Sequence, residues 1–400
     1  MIYDAVVIGA GPAGATSARL LAQAGWTVAL VEKSVFPRRK VCGEFISATS
    51  MALLDEPGIR EAFLAHAGPE IRRVGLFARE TVLSSPMPRA TTSLAPWGRA
   101  LGRESLDLLL RDAAVRAGAK LWQPYKLSAL RKSRDGHNCT VSSDGDAVEL
   151  EARTVIAACG SWEATPFSVS EPPAHRPSDL LAFKAHFRDS DLPDDLMPLL
   201  AFPGGYGGMV HTDEGRVSLS CCIRRDTLKK CRDERPGLRA AEAVLAHIVQ
   251  NCHGVREALQ RARLDGAWLS AGPIRPGIRP RYANGVFFAG NSAGEAHPIV
   301  AEGISMAMQA SWLLCRELIS PPDIMMGAAL ANAGNAYARK WKAFFAPRIR
   351  AAALFARIGM RPEIFAPALP LVSRYPRLLS WGARFSGKTR QLVSVPISEL

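Results

Sequence analysis

Three glycines, Gly9, Gly11 and Gly14, lie between two apolar segments near the start of the chain, and they constrain the fold more than any other feature. Residues 3–8, Tyr-Asp-Ala-Val-Val-Ile, have the near-continuous apolar character of a buried parallel strand. Ala15 to Ala24 reads as a helix stopped by Gly25, and Thr27 to Val31 as a second strand ending at Glu32. In this strand–turn–helix–strand setting each glycine has a mechanical role. Gly9 permits a tight turn, Gly11 lets the backbone approach a pyrophosphate, and Gly14 lets helix and strand pack closely. The N-terminus of that helix offers free N–H groups and the positive end of its dipole to phosphate. Glu32 is placed to accept hydrogen bonds from an adenosine ribose. These residues predict a dinucleotide site and leave FAD and NAD as alternatives.

A second glycine cluster lies far downstream, from Gly285 to Ile304, with Gly290, Gly294 and Gly303 inside it. Val286 to Ala289 reads as a strand, and Ile304 opens a helix running to about Ile319. A second strand–loop–helix returning to the same ligand suits a long cofactor such as FAD, with one end on each motif.

The remaining composition sets limits. The chain has 400 residues, 48% apolar and 22% charged, enough for a large core and two to three structural units. Its eight cysteines contain no Cys-x-x-Cys pair, so reduced thiols are expected and no metal site. Asp4 interrupts any signal peptide, and no uncharged apolar run reaches the roughly 18 residues a membrane span needs. A cytoplasmic protein is expected, free or peripheral to the inner face of the membrane. The net charge of +13 is uneven: residues 321–400 carry twelve Lys or Arg against three acids, a balance of +9. Trp341, Phe344, Phe345, Leu354, Phe355, Phe365, Leu371 and Trp381 interleave with these cations. Such a region fits either a basic helix on a membrane surface or a helix packing its apolar stripe inward. Nucleic acid is not expected as a partner.

The downstream motif, GNSAGEAHPIVAEGI over 290–304, resembles the GDAAGxxxPxxGEGI motif of FAD-dependent oxidoreductases of the p-hydroxybenzoate hydroxylase superfamily. The likeness is strongest to the branch holding geranylgeranyl reductases and flavin-dependent halogenases. It covers roughly residues 1–320. Asn291 stands where the family has an acidic residue on the ribityl chain. Gly294, Pro298 and Gly303 match loop positions against the flavin ring, and Ala301 replaces a family glycine. Arg39-Lys40-Val41-Cys42-Gly43-Glu44 falls between the KxCGG of the reductases and the GES of the halogenases. Arg103 matches an arginine near the cofactor. Residues 155–161 resemble a motif ending in Asp-Gly, with Cys159 in place of the aspartate before Gly160. Pro203 to Gly208 resembles the PGGYGW strand of the reductases. The halogenase signature WxWxIP is absent.

The resemblance implies an α/β fold with an α+β second part. A Rossmann-like FAD-binding domain is expected over 1–60, 100–180 and 265–320. An inserted antiparallel-sheet substrate domain is expected over 61–99 and 181–264, with strands at Leu181–Arg188, Gly208–His211 and Arg216–Arg224. A helical basic region follows over 321–400. FAD contacts are expected from Gly9, Gly11, Pro12, Ala13, Gly14, Glu32, Lys33, Arg39, Cys42, Gly43, Arg103, Gly160, Gly290, Asn291, Pro298, Gly303 and Ile304. No second GxGxxG appears, so NAD(P)H visits transiently or a separate reductase delivers electrons. The implied activity is a monooxygenase acting through a flavin hydroperoxide on an aromatic or lipophilic molecule, free or held by a carrier or partner protein. A C=C reductase and a non-catalytic flavin protein are the alternatives. His297, Glu44 and Tyr206 are the catalytic candidates. Phe36, Phe45, Trp97, Phe183, Phe202 and Trp268 are expected as cavity walls, and no role is expected for His66, His186 or His211.

Overall fold

The computed structural model describes residues 2–90, 95–160, 174–320, 327–390 and 392–393. Ser161 and parts of the basic C-terminal region, 321–326 and 394–400, lie outside these residues. The fold is mixed α/β and centres on two large sheets.

In the first sheet, strand Ile2–Ile8 pairs in parallel with Val28–Val31 on one side and Asp146–Ala157 on the other. Lys120–Trp122 and Val286–Phe288 extend the parallel order outward. The hairpin strands Lys126–Lys132 and His137–Ser143 join antiparallel. Because side chains alternate, Ala5 and Val7 face helices Pro12–Gln23, Arg103–Arg116 and Gly303–Ile319, while Val6 and Ile8 face the hairpin. Burial on both faces explains the unbroken apolar run, each fully buried valine or isoleucine contributing about 1.5–3 kcal/mol. The carboxyl ends of the three central strands carry Gly9, Ala158 and Ala289, and ligands of such sheets gather there.

The second sheet has seven strands. Leu180–Arg188, Val217–Arg224, Gly205–His211 and Leu196–Phe202 are successive antiparallel neighbours, flanked by Arg263–Ile274 and by the pair Arg73–Ala78 and Thr81–Pro86. The pairing of Leu196–Phe202 with Arg73–Ala78 is parallel. Residues 265–274, expected with the dinucleotide-binding part, belong to a strand of this sheet. One face packs on helices Arg225–Glu234, Ala240–Asn251 and His253–Ala258.

The C-terminal helices cover the gap between the sheets. In Gly327–Gly359 a stripe of Tyr337, Trp341, Phe345, Ile349, Ala352 and Ala356 is buried at helical spacing. Over that stretch the apolar face packs inward. Helices Pro362–Arg374 and Arg377–Ala383 follow, and they keep several large apolar side chains in solvent. Among the described residues no helix is long and apolar enough to cross a membrane.

Candidate functional site

A cavity of about 720 Å³ lies between the two sheets and the C-terminal helices. One end is built from the first glycine turn. Gly9 has φ +100, and its N–H donates to the Val31 carbonyl at 2.7 Å. A Cβ on Gly14 would sit 1.8 Å from the Gly9 oxygen, so only glycine lets the helix start so close to the strand. Gly14 therefore supports the wall from behind, while Gly9, Gly11, Pro12 and Ala13 line the cavity. No side chain caps the helix N-terminus at Gly11. A Cβ on Gly11 would protrude toward the Arg103 and Arg38 guanidinium groups, at 3.7 and 3.8 Å.

Three cations surround this helix end. Arg103 makes a two-pronged ion pair with Asp107, both contacts 2.7 Å. Arg38 reaches Glu32 at 3.2 Å and Asp107 at 3.5 Å, and its Nε is buried without a hydrogen-bond partner among the described residues. Burial, with Arg38 and Arg103 close by, pushes the Lys40 ammonium down to about 8. An orphaned guanidinium donor, a depressed lysine and an uncapped helix end together suit an anion such as a pyrophosphate. Glu32 and Lys33 line the same end. Glu32 accepts from the Ala10 N–H at 2.9 Å and from the Ser34 N–H at 2.8 Å, so the chain itself fixes its carboxylate. Arg39 does not line the cavity: its guanidinium donates to the Ala267 carbonyl at 3.2 Å and lies 3.4 Å from His186 Nδ1. Its neighbours Arg38 and Lys40 take the cavity positions instead.

The second glycine loop meets the first. A Cβ on Gly290 would approach Ala13 Cβ to 2.9 Å, and the Ser311 hydroxyl donates to the Ala13 carbonyl at 2.7 Å. Gly290, Asn291, Pro298, Gly303 and Ile304 all line the cavity, as do Cys42, Gly43 and Gly160. Asn291 donates to Glu295 Oε1 at 3.0 Å, which brings a buried carboxylate beside the amide. Ser292 clasps Gly160, accepting from its N–H at 3.1 Å and donating to its carbonyl at 3.0 Å. Ala301 is left-handed, φ 52 and ψ 40, the conformation a glycine adopts freely. Lys388 braces this strained loop by donating to the Val300 carbonyl and to Glu302, both at 2.8 Å.

The catalytic candidates separate into two groups. The Tyr206 hydroxyl lies 3.1 Å from His297 Nδ1, and both residues line the cavity. Burial, reinforced by the Arg357 charge, lowers His297 to about 4, so the ring is neutral at neutral pH and does not titrate there. Burial raises the Tyr206 phenol well above its usual range. Glu44 belongs to a different cluster, bonded to Lys184 and to His186 Nε2, the latter at 2.8 Å. Burial alone would raise Glu44, but the His186 hydrogen bond and the Lys184 charge hold it at about 2. Glu44 also has φ 63, a strained backbone for a side-chain-bearing residue. His186, for which the sequence shows no partner, is therefore a buried partner of Glu44, and Lys184 is the second, a pairing no local sequence signal marks. Strand alternation turns Lys184 and His186 to one face and Phe183 and Phe187 to the other. For that reason Phe183, Phe202 and Trp268 pack under the helices instead of lining the cavity. Phe36 joins the first core, Trp97 packs beside Phe45, and of the six expected walls Phe45 alone lines the cavity. Met197, Leu199, Ile299, Phe355, Ile358 and Phe365 supply the apolar lining.

A family model described as FAD binding domain matches residues 3–340. The chain belongs to that family. Membership decides between the dinucleotides in favour of FAD, and the cradle, the cation cluster and the second glycine loop fit that group. The motif resemblance to the p-hydroxybenzoate hydroxylase superfamily holds. Among curated relatives, conditioned medium factor receptor 1 of Dictyostelium discoideum is 24% identical over 356 residues, covering 80% of this chain and 63% of the relative. Digeranylgeranylglycerophospholipid reductase 1 of Methanothermobacter thermautotrophicus is 25% identical over 317 residues, 78% of this chain and 75% of the relative. The chain thus spans less than two thirds of the first relative's length. Among solved structures, the flavin-dependent brominase Bmp2 superposes with a TM-score of 0.75 at 18% identity, over 97% of this chain and 94% of that one. PqsL, a probable FAD-dependent monooxygenase from Pseudomonas aeruginosa, gives 0.73 at 16% identity, over 92% of this chain and 100% of that one. At these identities the structures show a shared fold.

Proposed function

We propose that this FAD binding domain protein is an FAD-dependent monooxygenase that hydroxylates an aromatic or lipophilic small molecule. The observation that carries this reading is the neutral Tyr206–His297 pair set in an apolar cavity that opens onto both glycine motifs. When bound, FAD supplies the redox chemistry, taking electrons from NAD(P)H or a separate reductase and activating oxygen. The Gly9–Gly14 turn with Arg38, Lys40 and Arg103 would hold the pyrophosphate, and the 290–304 loop would hold the other end. With Nδ1–H donating to the Tyr206 oxygen, His297 Nε2 is an acceptor for a substrate hydroxyl. A ring held to about 4 is a weak base. It polarises the hydroxyl without removing its proton, and so enriches the attached ring in electrons. The apolar lining excludes water from the reacting atoms.

A C=C reductase is the second reading. Tyr206 would give its proton to one carbon while bound FAD would supply hydride to the other, the phenolate taking a proton back from water. The likeness to a digeranylgeranylglycerophospholipid reductase supports it. Rapid mixing of the anaerobically reduced, FAD-loaded protein with oxygen and a panel of phenols and lipids separates the two. Transfer of one labelled oxygen atom to a product supports the monooxygenase. Stoichiometric reduction of an isoprenoid C=C bond without oxygen, with no labelled product, rejects it in favour of the reductase.

A further inference from the structure

The C-terminal helices present an uncommon surface. Trp381 is 61% exposed and Phe385 65%, and their rings lie 6.1 Å apart against each other rather than against the core. Leu371 and Tyr375 are also exposed. Arg361, Arg374, Arg377, Arg384 and Arg390 of the same helical region stand in solvent, and Glu363 is the one acid among the described residues of 360–390. Exposed aromatic and aliphatic side chains are costly in water unless something covers them.

This patch is not a loose tail. The Ser380 hydroxyl donates to the Pro86 carbonyl at 2.6 Å and lies 2.8 Å from the Ser85 hydroxyl. Buried Lys388 reaches Glu302, and buried Arg348 donates to the Arg390 carbonyl at 3.0 Å. The fold therefore anchors the segments that carry these side chains. The same helices roof the cavity. Leu378 is both exposed at the surface and part of the cavity lining, and Val372 and Leu379 beside it also line the cavity.

We propose that this face docks on an anionic lipid membrane and that the cavity takes its lipophilic substrate from the bilayer beneath Leu378. The proposal rests on the lipophilic-substrate part of the functional reading and adds the partner. Charge decides the occupant. A second copy of the chain would bring arginine against arginine across the contact. An acidic protein would also match the arginines and the projecting aromatic tips, and it is the alternative outcome that the vesicle test separates. At an anionic membrane surface the arginines meet phosphate headgroups while aromatic and aliphatic tips enter the apolar boundary. A substrate dissolved in that boundary then reaches the cavity along apolar side chains without crossing water.

The test uses the full-length, FAD-loaded protein sedimented with vesicles of phosphatidylcholine alone or mixed with phosphatidylglycerol. The wild type should sediment with the mixed vesicles and release in high salt. Trp381→Ser with Phe385→Ser, and separately Arg374→Glu with Arg377→Glu, should each lower partitioning by roughly tenfold or more. Both variants should keep the flavin spectrum and melting temperature, since none of the four residues lines the cavity. Wild-type protein that ignores mixed vesicles overturns the proposal, as do double variants that bind as the wild type does. Comigration with an acyl carrier protein in place of vesicles also overturns it and assigns the face to a protein partner. Sedimentation needs no turnover, so a protein that binds vesicles but transfers no oxygen loses the monooxygenase reading alone.

Discussion

Lys388 and Glu302, 86 positions apart, form a buried ion pair of 2.8 Å that ties the last helical turn to the second glycine loop. The same ammonium donates to the Val300 carbonyl, immediately before left-handed Ala301. The C-terminal region is thus a structural brace for the loop expected to face the flavin ring. Replacing Lys388 by Met takes the paired ammonium from the buried Glu302 carboxylate, which keeps the Ser47 hydroxyl at 3.4 Å and the more distant Arg348 charge, at a cost of up to about 3 kcal/mol. A lower melting temperature and faster FAD release, read by flavin fluorescence, are expected. Arg at the same position should restore part of both, and a Met variant that melts and holds FAD as the wild type does would remove the brace.

Gly11 tests the cradle. A valine there projects two methyl groups into the space between helix end and arginines. The purified variant should lack flavin while keeping its circular dichroism. Stoichiometric FAD in that protein would show that the pyrophosphate sits elsewhere.

Lys40 makes cofactor affinity depend on pH. With its ammonium depressed to about 8 before an anion arrives, binding of a pyrophosphate stabilises the charged form and raises that value. Above pH 8 binding therefore takes up a proton, and affinity falls as pH rises, by up to about tenfold per pH unit. Below pH 8 the lysine is already charged and this dependence flattens. Titration of the apoprotein with FAD across this range measures the slope. In Lys40→Arg, charged throughout, the slope should disappear, and its persistence would assign it to another group.

His297→Gln should retain FAD and slow turnover at saturating substrate by about 10² or more. Because His297 is lowered to about 4, the wild-type rate should show no inflection from this residue near pH 6.5, the ordinary value for a histidine. An inflection near 6.5 that vanishes in the variant would contradict the neutral, buried ring.

Glu44 links stability to acid. Its value falls from 4.5 to about 2 on folding, so its contribution is complete above 4.5 and is lost as pH drops toward 2. Glu44→Gln takes the carboxylate away from Lys184 and His186 and should melt lower at neutral pH. The gap between wild type and variant should close between pH 4.5 and 2. A gap that does not change with pH would mean that packing, not charge, is responsible.

The sequence by itself determined the local pieces. Periodicity and glycine spacing marked the strand before Gly9, the helix after it, the return at Gly290 and the helix from Ile304, because those signals are set by backbone sterics and short-range burial. Tyr206, His297 and Glu44 became candidates through the family resemblance, not through periodicity or spacing. Only the tertiary structure decided which groups face one another. Arg39 turns away while Arg38 and Lys40 turn in, since neighbours in an extended segment point to different sides and the choice depends on what packs there. Lys184 and His186 gain their meaning from Glu44, about 140 residues away. The basic tail read first as a packed helix, with a membrane-surface helix as the alternative, and the folded chain divides it. Residues up to Ala356 bury their stripe against the core, whereas the helices from Pro362 leave theirs in solvent, because the surface able to cover an apolar face is assembled only when distant segments meet.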